Sequence, residues 1–542
     1  MRVDLHVHTD ISDGSLSIVE TLELAKKNGL THIAITNHDT VDGLEQAMYT
    51  GIRLGIKVIP GVEISAVDKI TGQKVHILGY NFTVEAPHIT KLCEPLLERR
   101  QQKSIWQIEQ LIAYGYQINK QAIYAQRAGR VIYKQHIMAH LVEQGYTDGI
   151  YSPLYEELFK GSGMCSREVE YVDVFEAVKA IKADGGIAVL AHPGQQNTYY
   201  LIDQLVDAGL DGIEIYHEIH TAKDHEKIKQ LAYDKNLILT GGSDYHGEYG
   251  TMTELGQVLC PPETLNYFPP KTEHYVRFIK YLVYEAGTKL REFTAVREQI
   301  SLKNNELSNL VTRFDIEIER FIVNKIKTEF PEHSFITEEN TVKASSHSFY
   351  TWIIDPIDGT TNFVSFGQDF AVSIALYKNQ QPYIGAVYDV MADELYLGIA
   401  QKGAWLNGSP LIPRLPAENL SEAIVDCSLN TINRFMVERK INMPALINHI
   451  RGHRCSGVAS IAICKVAAGQ LSAYISAKLS IWDYAAAAII LSEMQGSHCI
   501  LSNQSSQIEF HQGLVFIACG SRSILQQLKE KLLQLNLNRG QA

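Results

Sequence analysis

The residues that invite chemistry stand at the start of the chain. Residues 4–14 read DLHVHTDISDG, with His6 and His8 one residue apart and Asp13 five positions on. In an extended segment, side chains two apart project from one face, so the alternation of VDLHVHT points both imidazoles the same way. An HxH pair alone is more often a satisfied surface or core feature than a metal site. Recurrence changes that reading. His38, Glu63, His76, His192, Asp244 and His246 also sit at the ends of short apolar runs or just beyond them. With His6, His8 and Asp13 they make nine imidazole and carboxylate groups, a mixed set that suits Mn²⁺, Fe²⁺ or Zn²⁺.

A second set is purely acidic. TEEN (337–340) and WIIDPIDGTTNF (352–363) supply Glu338, Glu339, Asp355 and Asp358. A loop of Asp, Gly and Thr is often only a turn. Here an apolar run leads straight into it, and oxygen ligands of this kind suit Mg²⁺, which keeps several waters and works with substrate phosphate.

The elements that must hold these groups are visible in the hydrophobic pattern. THIAITNHD, KVIPGVEIS, KVHILGY, GIAVLAHPG, GIEIYH and LILTGGSDYH read as buried strands. Between them lie helical periods such as SLSIVETLELAKKNG and YVDVFEAVKAIKADGG. Strand–helix repetition implies a largely parallel α/β architecture, a barrel being one form of it, and such folds gather functional groups at the carboxyl ends of strands. Residues 261–273 (PPETLNYFPPKTE) carry four prolines and break both periodicities, so we place a linker there. It separates a domain at 1–260 from one at 274–535. The second domain opens on a long helical stretch, 274–330, followed by a strand-rich middle and a helix around 457–469.

Size and charge bound the function. A chain of 542 residues exceeds one ordinary domain. Its net charge of −12 argues against general affinity for nucleic-acid backbone, though not against a small nucleotide in a local cationic pocket. Eight scattered cysteines without a CxxC pair suit reduced thiols, and no run approaches 18 apolar residues. These features lead us to expect a cytoplasmic protein with no membrane partner.

LHVHTDISDG, ITNHDT, GVEIS, KVHILGY, LAHPG and TGGSDYHG, in that order, resemble the PHP (polymerase and histidinol phosphatase) domain, in particular its stand-alone nucleotide phosphatases. The resemblance implies a distorted (β/α)7 barrel with a trinuclear site, occupied by Mn²⁺ or by Fe²⁺ or Zn²⁺. His6, His8, Glu63 and Asp244 would hold one metal. Glu63 would bridge to a second, completed by His76 and His192, and Asp13, His38 and His246 would hold the third. Metals so placed polarise a phosphoryl oxygen and activate water, so no Ser or Cys nucleophile is needed. Related enzymes grip phosphate with Arg and His, a task the guanidinium fork suits, and by position Arg130, His136 and His220 are the candidates. Asn37 stands where the family usually has Asp, a change that would weaken the third metal.

TEEN with WIIDPIDGTTNF and SIWDYAAAAIILSEMQG (480–496) resemble the inositol monophosphatase family, implying a layered αβαβα domain. By position, Glu338, Asp355, the Ile357 carbonyl, Asp358 and Asp483 would bind Mg²⁺. Glu338 with Thr360 would orient and deprotonate water, making Glu338, Asp358 and Thr360 the catalytic set. Gly359 and Thr360 would offer amides to phosphate, and Gly457, Val458 and Ala459 would line the substrate side. Ser476 stands where relatives often carry a glutamate against sugar hydroxyls, which weakens inositol phosphate itself as the substrate.

Together these readings predict a two-domain metal-dependent phosphatase acting on small phosphorylated metabolites. The first half would act on a nucleoside 3′,5′-bisphosphate, and the second on an inositol or sugar phosphate or a nucleotide bisphosphate. The alternatives are a 5′–3′ exoribonuclease acting on very short RNA, a histidinol phosphatase, or one half serving as a non-catalytic binding or dimerisation module. The second resemblance also implies a homodimer.

Overall fold

The computed structural model describes residues 1–297, 304–344, 348–412, 417–501 and 514–535. It divides into two compact units, Met1–Glu273 and His274–Ala542.

In the first unit one sheet carries β1 (Val3–Val7), β2 (His32–Ile35), β3 (Lys57–Val67), β4 (Lys74–Tyr80), β5 (Val172–Asp173), β6 (Ile187–Leu190), β7 (Gly212–Tyr216) and β8 (Ile238–Gly241). Seven of them run in the order β1-β2-β3-β4-β6-β7-β8, and β5 pairs with β3 off this path. A parallel bridge between Val7 and Tyr245, with the His8 amide donating to the Tyr245 carbonyl at 2.9 Å, brings the two ends together. The result is a nearly closed barrel.

The neighbours pair in parallel except at β4, which is antiparallel to both β3 and β6. This reversal matters for the site. Functional groups collect where parallel strands end, and a reversed strand presents its beginning at that rim. His76, third residue of β4, therefore joins groups that follow β1, β2, β6 and β8.

Helices cover the barrel, and the first of them is specified locally. Ser17 caps Ile18–Lys27 in a capping box with Glu20, and the apolar face of Ile18, Leu22 and Ala25 is buried. Between β4 and β5 lies a helical insertion: Pro87–Ala113, Lys120–Arg127, Lys134–Glu143 and Pro153–Phe159. It has its own core around Ile108, Leu111, Ile137, Leu141 and Phe159. The proline-rich stretch folds partly as a 3₁₀ helix, Pro262–Tyr267, and Phe268 is buried with Tyr80, Leu5 and Val189.

In the second unit the expected long helical stretch is two helices, Thr272–Arg297 and Asn304–Glu329. A seven-stranded sheet follows, in which β9 (Ser334–Thr337) pairs in parallel with β10 (Tyr350–Asp358) and β10 in antiparallel with β11 (Ala371–Lys378). A five-stranded sheet contains Ile424–Cys427, Ala473–Leu479 and Leu514–Cys519. The helices Ala459–Ala467 and Ile481–Glu493 share one core with both sheets. The four alanines 485–488 let the second helix lie close: a Cβ on Gly385 would come 2.3 Å from the Ala486 carbonyl oxygen. A further core joins the outer helix Arg522–Gln534 to the other face of the smaller sheet. Among the described residues no helix is long and apolar enough to cross a membrane.

Barrel closure allows one sharp test. A Cβ on Gly242 would lie 2.3 Å from the His6 backbone nitrogen. Gly242→Ala must push the segment after β8 away from β1, at a cost of about 1–3 kcal/mol for overpacking. Urea unfolding should show the first unit's transition falling by that amount and the second unit's unmoved.

Candidate active sites

The first site is built around a buried carboxylate. Glu63 of β3 is 1% exposed. Its Oε1 lies 2.7 Å from His76 Nδ1 and 3.0 Å from His192 Nε2. Its Oε2 lies 3.1 Å from His8 Nε2, 3.2 Å from His6 Nε2 and 3.3 Å from His38 Nδ1. Asp244 adds a second anion, with Oδ1 3.2 Å from His8 Nε2 and 3.3 Å from His6 Nε2. Asp13 is the third, 3.5 Å from His246, 3.7 Å from His8 and 3.8 Å from His38.

Three groups of ligand atoms lie within 4.8 Å of one another: His6, His8, Glu63 and Asp244; His38, Glu63 and His76; and His8, Asp13, His38 and His246. All nine residues singled out in the sequence thus converge, His192 through its contact with Glu63. His8 and His38 each stand in two groups, which the sequence did not divide this way. A buried cluster that leaves His6 Nε2, both nitrogens of His8, His192 Nδ1 and Asp13 Oδ1 without hydrogen bonds fits divalent cations.

The electrostatics agree. Burial alone would raise Glu63, but His38, His76 and His6 hold it well below the usual carboxylate range. Burial opposes charge on His6, yet Asp244, Glu214 and Glu63 raise it well above its ordinary value. Burial likewise works against a charged His246, and Asp13 with Asp244 overcomes it, lifting the group to about 10. For His38 burial wins and the value falls to about 4. Two residues of the cluster hold left-handed backbone, His192 at φ +24° and Asp244 at φ +52°. Strain of that kind persists where surrounding structure over-determines it.

Several residues that serve this cluster were not singled out in the sequence. Glu214, fully buried on β7, accepts from His6 Nδ1 at 2.9 Å and from the His192 amide at 2.8 Å. It orients one ligand by side chain and another by backbone. Asp4 accepts from Ser243 by backbone and side chain and from the Gly256 amide, tying β1 to the segment beyond β8. Burial lifts Asp4 to about 6. Asp39 receives Arg100 at 2.8 Å and the Ser65 amide at 2.7 Å. The visible signal was a charge inside an apolar strand, as in GIEIY and VDLHV.

The substrate candidates fare differently. Arg130 Nη1 donates to the Asp10 carbonyl at 3.1 Å and its carboxylate at 2.6 Å. Arg127 donates to the carbonyls of Asp10, Ile11 and Ser12. Both arginines hold the loop carrying Asp13. Both ring nitrogens of His220 face backbone: Nδ1 the Ile215 carbonyl at 2.8 Å and Nε2 the Gly194 amide at 3.2 Å. His136 is 7% exposed, and its Nδ1 accepts from the Tyr133 amide. Asn37 accepts from the Thr9 amide and hydroxyl and the Ser12 hydroxyl, and returns a bond to Thr9 through Nδ2. Aspartate has no such donor, so the asparagine suits this loop.

The second site collects carboxylates without imidazoles. The register of β10 against β11 breaks between Asp355 and Asp358, where Pro356 has no amide to give. The break lets both aspartates emerge near Glu338. Asp355 and Glu338 share a hydrogen bond, and Asp355 also accepts from the Ile357 amide. Asp358 accepts from the Ser460 amide at 2.6 Å, at the start of the helix Ala459–Ala467. Asp483 accepts from the Ser480 amide at 2.7 Å.

Burial first, then mutual repulsion, raises these carboxyls: Glu338 to about 7, Asp483 to about 8, and Asp355 well above its ordinary value. Buried anions gathered without a counter-charge fit a cation better than any protein group supplied here. Thr360 Oγ1 donates to the Ile357 carbonyl at 2.9 Å. Gly359, at φ +90°, has no room for a Cβ, which would lie 2.7 Å from Val458 Cγ2. Asn362 Nδ2 donates to the Ser456 and Asp369 carbonyls, so the loops of Gly359 and Gly457 are pinned together. The Ser476 hydroxyl is occupied locally, within 3.3 Å of the Lys478 carbonyl. Asp315 and Glu319 escaped the sequence reading. Asp315 is lifted to about 7 by burial and by Glu339. Glu319 accepts from the Glu339 and Thr341 amides and holds the TEEN loop.

Comparison with known proteins divides the chain the same way. Family models match residues 4–232 (PHP domain) and 272–536 (inositol monophosphatase family). The first half is 46% identical over 257 residues to a phosphoribosyl 1,2-cyclic phosphate 1,2-diphosphodiesterase of Eggerthella lenta, covering 47% of this chain and 98% of that protein. The second is 34% identical over 261 residues to an inositol-1-monophosphatase of Bacillus subtilis, covering 47% of this chain and 94% of that one. It is also 35% identical over 221 residues to the rat inositol monophosphatase 1, covering 40% and 79%.

Two outcomes are expected from this geometry. Glu214→Gln removes the anion behind His6, and loss of such a supporting partner should weaken metal affinity of the first unit about 10–100-fold, read by competition with a chelating dye. In the second unit the raised carboxyls favour the folded state below pH 4 and lose that contribution as pH rises toward about 8. Mg²⁺ reverses the loss. The rise in unfolding temperature on replacing EDTA by Mg²⁺ should be larger at pH 8 than at pH 5.5; an equal rise at both would contradict the carboxylate assignment.

Proposed function

The chain belongs to two families of metal-dependent phosphoesterases, the PHP domain in its first half and the inositol monophosphatase family in its second, and from that premise we propose how the two sites divide their work. The first unit cleaves a phosphoester on a phosphorylated ribose, a cyclic 1,2-phosphate being the leading substrate and a nucleoside 3′,5′-bisphosphate the second. The observation that carries this reading is the 46% identity to the Eggerthella lenta protein across nearly its whole length. The second unit hydrolyses a small phosphomonoester.

Bound divalent cations would polarise the phosphoryl oxygen and lower the pKa of attacking water: Mn²⁺, Fe²⁺ or Zn²⁺ in the first unit and Mg²⁺ in the second. The protein's part is to hold them and to aim the substrate. In the first unit His6, His8, Glu63 and Asp244, then His76 and His192, then Asp13, His38 and His246 would serve as ligands, with Glu214 fixing the tautomer of His6. In the second, Glu338, Asp355, Asp358, Asp483 and the Ile357 carbonyl would hold the cation. Glu338 would accept the proton of water that Thr360 would help to orient.

The two reactions connect by chemistry. Hydrolysis of a cyclic diester breaks one P–O bond, adds water across it, and leaves a monoester beside a free hydroxyl. A monoester is the class of substrate the second unit takes.

The test is ring opening of phosphoribosyl 1,2-cyclic phosphate, followed as loss of the cyclic diester, and phosphate release from adenosine 3′,5′-bisphosphate and inositol 1-phosphate, by the full chain supplied with Mn²⁺ and Mg²⁺. His192→Ala should abolish turnover of the first by about 10³-fold or more and spare the third, and Asp358→Asn should do the reverse. Loss of both activities in either variant would refute two independent sites.

A further inference from the structure

Beside the first metal-ligating cluster lies a cavity of about 330 Å³, with Asp13, His38 and His76 in its wall. The same wall carries four lysines from four separate elements: Lys74 at the start of β4, Lys103 on Pro87–Ala113, Lys134 opening Lys134–Glu143, and Lys160 after Pro153–Phe159. Lys74 is answered by Glu168 at 2.9 Å. Lys103, Lys134 and Lys160 make no ion pair among the described residues. Arg100, also in the wall, is committed to Asp39 and Ser65.

Lys103 and Lys134 are half-buried, and burial is the first cause that pushes each down to about 8. Glu168 opposes that shift at Lys103, while Arg100, Lys74 and Arg167 add to it. At Lys134 the neighbours Lys103, Lys160 and Lys74 add to burial and Glu168 again opposes. Cations crowded together and partly withdrawn from water are costly unless an anion joins them. Gln107 lines the same wall with Oε1 buried and without a hydrogen-bond partner, an acceptor that a sugar hydroxyl would satisfy.

Resting on the reading that the first unit cleaves a phosphoester at the neighbouring cluster, we infer that Lys103 and Lys134, with Lys160 and Lys74 at the rim, form a second anion subsite that holds a terminal phosphate of the substrate remote from the scissile one. None of Arg130, His136 and His220 lines this cavity. A volume of about 330 Å³ is at the small end of ligand pockets and suits a body of pentose size between the two phosphates.

Ribose 5-phosphate, which has the remote phosphate and no ester at its anomeric end, is the probe, and EDTA keeps either unit from hydrolysing it. Calorimetry on the full chain in EDTA should find binding that weakens at least about thirtyfold in Lys103→Met/Lys134→Met and returns to within a few-fold in Lys103→Arg/Lys134→Arg, charge-assisted bonds to phosphate being worth about tenfold or more each. With metals present, the Met variant should raise KM for the doubly phosphorylated ester, change kcat little, and lose at least about tenfold of its preference over p-nitrophenyl phosphate. Equal ribose 5-phosphate binding by the Met variant and the parent, or none by the parent, overturns the subsite. So does an unchanged preference. If binding behaves as stated but no phosphoester is hydrolysed, the subsite stands and the phosphoesterase reading of the first unit falls.

Discussion

A carboxylate with almost no access to water is held ionised only if opposite charge or hydrogen bonds replace its hydration, a loss otherwise worth several kcal/mol. Glu63 is in that position, and five imidazoles surround it: His6 on β1 and His8 just beyond it, His38 beyond β2, His76 on β4 and His192 beyond β6. Four of the seven strands on the barrel path, or the turns they lead into, therefore meet at one side chain on a fifth element. Glu214 and Asp4 brace the arrangement from behind, one holding His6 and His192, the other tying the first strand to the chain beyond the last. The reversed β4 serves the same end, since only that direction brings His76 to the rim where its neighbours finish.

The second unit solves a different problem with the same kind of group. Its carboxylates have no histidines among them, so burial and mutual repulsion leave Glu338 and Asp355 sharing a hydrogen bond and Asp483 protonated to about pH 8. The backbone contributes what side chains do not: the amides of Ile357, Ser460 and Ser480 each bond one aspartate. One site is partly neutralised before any metal arrives, and the other is held ready by amides and completed by cations. Borderline metals suit the first donor set and Mg²⁺ the second for that reason.

Much of both sites could be read directly from residue type and spacing. HxH on an alternating strand, histidines and acids at the ends of apolar runs, and paired aspartates after WII are local patterns, and local patterns survive without coordinates. The supporting residues did not show themselves in that way. Glu214 and Asp4 look like single charges inside strands until the barrel curls and sets them against His6 and Ser243. Glu319 looks like one more acid on a helix until the Glu339 and Thr341 amides come to it. Arg130 and His220 looked equally suited to phosphate, and only the fold engages them with Asp10 and with backbone groups.

The sequence by itself therefore determined the two-part architecture, the strand–helix alternation and the imidazole and carboxylate groups that gather in each unit, because each depends on periodicity or on chemistry within a few positions. Tertiary structure alone decided which imidazole faces which carboxylate, the direction of β4, and the meeting of Lys74, Lys103, Lys134 and Lys160 around one cavity. Those lysines stand 29, 31 and 26 residues apart along the chain, on elements whose spacing carries no common period. Convergence of that kind arises only when separate segments are packed, since the interaction that joins them is between side chains with no local relation in sequence.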